Sequence, residues 1–332
     1  MDIPHWWRNK ALLSYLFYPL SLLFRGGVFL RHHLYRLGWL RVYRAPVPVV
    51  VVGNLTVGGN GKTPLTLALA KALSAEGYQV GIISRGYGRA TRHAQSALLV
   101  QDSSTADEVG DEPLLLYQQS ALPVAVSKNR QAAIELLLTH LPVNLILADD
   151  GLQHKALWRD VELVAYASDL GFGNGFCLPA GALREPVSRL NTVDALILTD
   201  YGTAPQSPCP VFSCDKALCV YELSTENPVL WQDLNTRRCA VLTAIARPKR
   251  LLETLKEQGI TPISLTALPD HSPISPHHLP PAEAVLITRK DAVKIKAWYE
   301  AETMVPVYVV DYQLQPPKAL ISLITQKIKD SP

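Results

Sequence analysis

The feature that most restricts the fold is a run of β-branched residues that ends in a glycine-rich turn. Residues 48–53 read PVVVVG, a run suited to a strand covered on both faces, as in a parallel sheet. It leads through Thr56, Val57, Gly58, Gly59, Asn60 and Gly61 to Lys62 and Thr63. A helical pattern follows, with Leu65, Leu69 and Leu73 at matching spacing, and ends near Gly77. Strand, glycine turn and helix together make a phosphate cradle. Glycines let backbone N–H groups turn inward, and the helix start adds partial positive charge. The lysine reaches β- and γ-phosphates, and the Thr63 hydroxyl suits Mg²⁺. The strict pattern has Gly or Ala where Thr56 stands, so this is a variant of the GGxGKT kind.

Further strand-like runs lie at 80–84, 97–100, 123–126, 143–148, 161–165 and 195–198, with helical stretches such as 130–140 between several of them. That alternation predicts an α/β fold, a P-loop NTPase-type parallel-sheet domain over 46–202. Residues 203–238 are rich in Pro, Ser, Thr and Asn and read as a β-ribbon linker. Strand and helix patterns resume at 239–242, 248–258, 284–288 and 305–310, which predicts a second, smaller α/β domain over 239–332 whose last helix packs back on the core. The apolar run 145–148 ends in Asp149 and Asp150, and a strand ending in carboxylates beside a phosphate loop suits a metal-bound nucleotide.

Composition matters most at the N-terminus. Residues 1–45 hold seven Lys/Arg and one acid, Asp2, for a net charge of +6, whereas the remaining 287 residues carry 25 basic and 28 acidic side chains, net −3. Ten of the 25 aromatic residues fall in the same 45 positions. The uncharged stretch 11–24 is shorter than the about 20 residues a spanning helix needs. It also lacks the order of a signal peptide. An interfacial helical segment is expected, with aromatic rings at headgroup level and arginines reaching for phosphates. Pro19 and the Gly26–Gly27 pair are expected to interrupt any single long helix. Arg31 and Arg36 lie about 140° apart on a helical wheel, so the basic face is not one stripe. Five cysteines without a CxxC pair predict structural thiols in a reducing compartment, and His154, His277 and His278 lack metal-ligand partners.

The ordered motifs Gly53–Pro64, Ser84–Gly88, Asp107–Pro113, Asp149–His154, Gly171–Gly175 and Leu178–Pro186 resemble the tetraacyldisaccharide 4′-kinase family of lipid A biosynthesis. Asp270–His271 and Thr288–Lys294 are similar to its later motifs, with Arg289 where the family usually has Glu and no glycine in 244–248. The resemblance implies transfer of the γ-phosphoryl group of ATP, with Mg²⁺, to the 4′-hydroxyl of an acylated glucosamine disaccharide 1-phosphate. It implies Asp111 as the base that accepts the sugar proton, His271 as the residue that orients it, and Lys62 on the phosphates. Thr63, Asp149, Asp150 and Glu112 become the metal candidates; Arg130, Arg184 and Glu185 fall near nucleotide or substrate. Asp107 and Glu108 suit a solvated helix start. The expected setting is peripheral or monotopic, at the cytoplasmic face of the inner membrane, with no nucleic acid and no obligate protein partner. The alternative is a GGxGKT-type ATPase or GTPase switch. Such a protein would carry an NKxD-like tetrapeptide or a Cys/His cluster, and the sequence has neither.

Overall fold

The structure, a computed structural model, describes residues 4–87, 89, 96–301 and 304–331. Asp2 and Gly88, named above, lie outside these residues. Three helices open the chain: α1 (His5–Arg8), α2 (Leu12–Leu16) and α3 (Tyr18–Arg36). The first sheet uses β1 (Val49–Gly53), β2 (Val80–Ser84), β3 (Leu98–Leu99), β4 (Val124–Val126), β5 (Leu145–Asp149), β6 (Val161–Tyr166), β7 (Ala195–Leu198) and β8 (Val211–Ser213). Its order is β3-β4-β2-β5-β1-β6-β7-β8. All neighbours are parallel except β3 with β4. The five residues of β1 are all buried, as a run with apolar side chains pointing both ways requires.

Helices α4 (Lys62–Ala75), α5 (Ala106–Val109), α6 (Asp111–Ser120) and α7 (Arg130–His140) connect these strands. Leu65, Leu69 and Leu73 of α4 cover one face of the sheet, packing with alternate residues of β1 and β5. Ile134 and Leu137 of α7 cover the other.

The second sheet takes β9 (Asp215–Glu222), β10 (Pro228–Val229), β11 (Cys239–Thr243), β12 (Ser264–Ala267), β13 (Ala284–Thr288) and β14 (Val307–Gln315), in the order β10-β9-β14-β13-β11-β12. It is joined by α8 (Trp231–Asn235), α9 (Pro248–Glu257) and α10 (Arg289–Ile295). Residues 203–238 therefore do more than connect: β8 extends the first sheet, and β9 pairs antiparallel with β14 along its whole length. Strand β14 runs to Gln315, past the apolar 305–310 core, because β9 offers partners for its backbone out to Asp215. The closing helix α11 (Lys318–Asp330) returns to the first domain, where Leu320, Ile321, Ile324 and Ile328 join its core.

One expectation at the N-terminus is overturned. Helix α3 runs unbroken through Pro19 and Gly26–Gly27. Pro19 sits in the first turn, where its missing N–H has no intrahelical partner to lose, and the two glycines lie where an added Cβ would meet nothing within 4 Å. The head is pinned to the body by polar contacts with the 174–179 loop. Trp7 Nε1 donates to Pro179 O at 2.9 Å, Ser21 Oγ to Cys177 O at 2.8 Å and Asn174 Nδ2 to Trp6 O at 2.9 Å. Gly173 has φ +58°, and a Cβ there would stand 2.4 Å from Trp7 O, so glycine is what lets the chains meet. The five cysteines are free thiols.

Candidate active site

The phosphate loop leaves β1 and enters α4 beside the end of β5, because these strands are neighbours with Val52 opposite Asp149. Gly61 has φ +72°, and an added Cβ would lie 2.9 Å from the Thr199 side chain. The position demands glycine on both counts. Thr56 explains the departure from the strict pattern: its hydroxyl accepts from Asn60 Nδ2 at 2.6 Å, tying the loop's two ends together. Thr199 Oγ1 donates to Asn60 O at 2.9 Å. Lys62 Nζ lies 3.7 Å from Asp150 Oδ1.

A cleft of about 2180 Å³ spreads from this loop to α3 on one side and the second domain on the other. Drug-sized ligand sites measure about 300–1,000 Å³, so this one has room for a nucleotide and a large second substrate. Arg31 of α3, Lys128, Lys155 and Arg184 give part of its wall a positive character. From the second domain Arg247, just before α9, reaches across. Its Nη1 donates to both Asp169 carboxylate oxygens at 2.7 Å, and its Nη2 donates to Asn60 Oδ1 at 3.1 Å.

The acid residues sort into two groups. Asp149 is buried and accepts from Thr66 Oγ1 at 2.9 Å. Burial first, then the charges of Glu112 and Asp150, push its carboxyl well up. Asp150 points the other way, with φ +46°, and accepts from Arg184 Nη1 at 3.2 Å. Burial would raise Asp150, yet Lys62 and Arg184 hold it below the usual range. No group of three or more His, Cys, Asp or Glu side chains among the described residues forms a metal cage. Mg²⁺ needs none, since it commonly takes one or two carboxylates with phosphate oxygens and waters. Thr63 with the charge-crowded Asp149 and Glu112 is a donor set that fits it.

Asp111 opens α6 and is only 4% exposed. His271 Nδ1 lies 2.8 and 3.0 Å from its two oxygens. Burial works to raise Asp111, but the His271 hydrogen bond first, then the charges of Lys290 and Lys294, outweigh it and hold the carboxyl down to about 2. His271 and Glu112 line the cleft with Asp111 directly behind them. Glu108 caps α5, where its Oε2 accepts from Thr105 N at 3.0 Å.

Arg130 and Glu185 both line the cleft, as their expected place near nucleotide or substrate requires, yet each is nearly buried. Arg130 is 2% exposed, and its Nη2 donates to Asp149 O at 2.7 Å, so it buttresses the acid strand end. Its Nη1 finds no hydrogen-bond partner among the described residues. Glu185 is buried and accepts from Gln153 Nε2 at 3.1 Å, with Lys155 Nζ at 3.5 Å and Arg189 Nε at 3.3 Å. It holds these neighbours in place at the edge of the cleft. Burial is invisible in a sequence, and both residues were placed by motif position alone. Arg184 stays partly open and aimed at Asp150. Gln153, Lys155, Arg247 and Lys290 were not anticipated; only the local motifs around Gln153 and Lys290 carried any signal.

His154 lines the cleft, and burial, followed by Arg130, Arg159, Arg31 and Arg85, holds it down to about 4 from an ordinary 6.5. At this site the unfolded chain takes up a proton that the folded one refuses, so the stability contributed by His154 falls as pH drops from about 6.5 to about 4 and levels off below. His154→Gln flattens this limb of the melting-temperature profile; an unchanged slope would remove His154 as its source.

A phosphate loop on a parallel sheet, a carboxylate strand end beside it and a two-substrate cleft closed by a second domain define a P-loop phosphotransferase. The family model described as tetraacyldisaccharide-1-P 4′-kinase matches residues 13–329. A tetraacyldisaccharide 4′-kinase of Dichelobacter nodosus is 46% identical over 97% of this chain and 96% of its own length. That of Histophilus somni is 37% identical over 98% of each. The fold is also similar to a crystal structure of LpxK from Aquifex aeolicus in complex with ATP, with a TM-score of 0.81 and 28% identity, covering 96% of this chain and all of that one. The chain belongs to the tetraacyldisaccharide 4′-kinase family and is a kinase. The switch-type alternative is not favoured.

Proposed function

We propose that this cleft transfers the γ-phosphoryl group of ATP to the 4′-hydroxyl of a tetraacyl glucosamine disaccharide 1-phosphate, giving the 4′-phosphorylated lipid A precursor. The observation that carries the reading is that His271, which lines the same cleft as the phosphate loop, is hydrogen-bonded to Asp111 directly behind it. Loop N–H groups and the start of α4 hold the phosphates, and Lys62 swings from Asp150 to neutralise charge on the β- and γ-oxygens. Thr63, Asp149 and Glu112 would hold Mg²⁺, which shields phosphate charge when bound. An Asp111 carboxylate oxygen receives the proton of the sugar hydroxyl, and His271 keeps that carboxylate oriented. Arg184 and the positive wall by α3 suit the substrate's 1-phosphate.

The setting is the cytoplasmic face of the inner membrane, with the head lying in the interface. No helix among the described residues is long and apolar enough to cross a membrane. Fifteen of the 22 exposed large apolar side chains among the described residues fall between Leu12 and Val42, a density that water does not favour and a lipid surface does. Leu12 is 86% and Leu23 73% exposed. Burying a leucine is worth about 1.5–3 kcal/mol, so Leu12→Asp with Leu23→Asp lowers partition into anionic vesicles on the order of 10²-fold, while the melting temperature moves little. Unchanged sedimentation with vesicles would place the interface elsewhere.

The test of the reaction is transfer of label from γ-labelled ATP to a tetraacyl disaccharide 1-phosphate in detergent micelles. Labelled lipid is expected; ATP hydrolysis with no labelled lipid would overturn the reading.

A further inference from the structure

Helix α10 carries two lysines one turn apart, Lys290 and Lys294, and packs against α6, which Asp111 opens. Lys294 Nζ lies 3.4 Å from Asp111 Oδ2 and makes no hydrogen bond among the described residues. Lys290 Nζ has a different surrounding. It stands 3.3 Å from Glu112 Oε1, 3.3 Å from Asp270 Oδ1, 3.7 Å from Asp111 Oδ2 and 3.1 Å from His271 Nε2. The last contact carries the chemistry. Lys290 stands beside the Asp111 and Asp270 carboxylates, and a lysine ammonium only donates hydrogen bonds. Its partner Nε2 must then accept, which leaves the single imidazole proton on Nδ1, 2.8 Å from Asp111. A proton on Nε2 would instead face the Lys290 charge at that short distance, or turn to Asp270 Oδ2 at 3.5 Å. His271 adopts φ +64° and is tied by its backbone N–H to Ala244 O at 3.2 Å, so the ring enters from a fixed direction.

We propose that Lys290 is a positioning residue that fixes His271 as the neutral Nδ1–H tautomer, so that one hydrogen bond orients the Asp111 carboxylate. The inference rests on Asp111 as the proton acceptor and adds to it the device that keeps the His271–Asp111 contact in one form. Lys294, whose ion pair among the described residues is with the Asp111 carboxylate, supplies charge without setting the tautomer. Lys290 and Lys294 are thus separable, although they sit on the same face of one short helix.

The direct test is ¹⁵N NMR of histidine-labelled full-length protein, with His271 assigned among the nine histidines by the loss of its signals in His271→Gln. The expected wild-type spectrum has a protonated Nδ1 and an unprotonated Nε2. A wild-type His271 found as the Nε2–H form or as imidazolium overturns the proposal without any Lys290 variant. In Lys290→Met the signals shift towards the other tautomer, whereas in Lys294→Met they stay. In the lipid-phosphorylation assay Lys290→Met loses kcat on the order of 10²-fold, as a misaligned reacting group does, with KM for ATP within about 2-fold, and Lys290→Arg recovers much of the loss. An unchanged tautomer or full kcat in folded Lys290→Met overturns the role of Lys290. Failure of the underlying reading would look different: Asp111→Asn would itself remain active.

Discussion

Asp111→Asn retains ATP binding and loses turnover by at least about 10²-fold, the low end for removal of a general base. The substitution keeps the shape of the side chain and takes away only the charge and the basic oxygen. Asp111 is held down to about 2, so the residue lost is a carboxylate at every pH where a cell lives. A second consequence separates chemistry from scaffold. Lys294 is 5% exposed with Asp111 as its carboxylate, and stripping one partner from a buried pair costs about 3–5 kcal/mol. Asp111→Asn therefore melts earlier, and adding Lys294→Met returns most of the melting temperature without returning turnover. Near-normal turnover in the single variant would remove Asp111 from proton transfer. Restored turnover in the double variant would show that the first loss was only a matter of stability. The pH signature is also specific. With a folded value of about 2 against an ordinary 3.8, the carboxylate's contribution is present above about 4 and lost as pH falls from there to 2. His154 acts in the window above that.

What the sequence disclosed follows from how local each signal is. Strand β1, its glycine turn and α4 are contiguous, and the buried run of four valines admits few other structures. The carboxylates after β5 were legible for the same reason, but their opposite directions were not. That split depends on φ +46° at Asp150 and on Lys62 and Arg184, which arrive from distant segments. Arg130 and Glu185 show the limit more sharply. Both line the cleft, but only packing reveals that one also supports the Asp149 carbonyl and the other steadies Gln153 and Lys155. Arg247 carried no signal at all. It stands in a short turn before an ordinary helix, and its meaning comes from the second domain laying that turn beside Asn60. Helix α3 continues through Pro19 because a helix breaker acts by its position in the turn, and here it falls in the first turn.

Lys62→Met should bring the other large loss, with lipid phosphorylation falling on the order of 10³-fold, comparable with removal of a preorganised donor from a developing oxyanion. The Lys62 ammonium lies 3.7 Å from Asp150 with only 13% of its side chain exposed. Its replacement does not strand the aspartate, because Arg184 remains 3.2 Å away. The fold survives, and the deficit reports on phosphate chemistry. Lys62→Arg does not rescue: the loop closes around a compact point charge, and a planar guanidinium needs width that Gly61, packed on Thr199, cannot yield. Asp150→Asn discriminates between two uses of the contact. If Asp150 merely parks the lysine, releasing it leaves ATP affinity unchanged or tighter, and kcat falls far less than in Lys62→Met. Equal losses in Asp150→Asn and Lys62→Met would make the pair a single functional unit, and turnover of Lys62→Met within about 10-fold of wild type would exclude the lysine from the transferred phosphate.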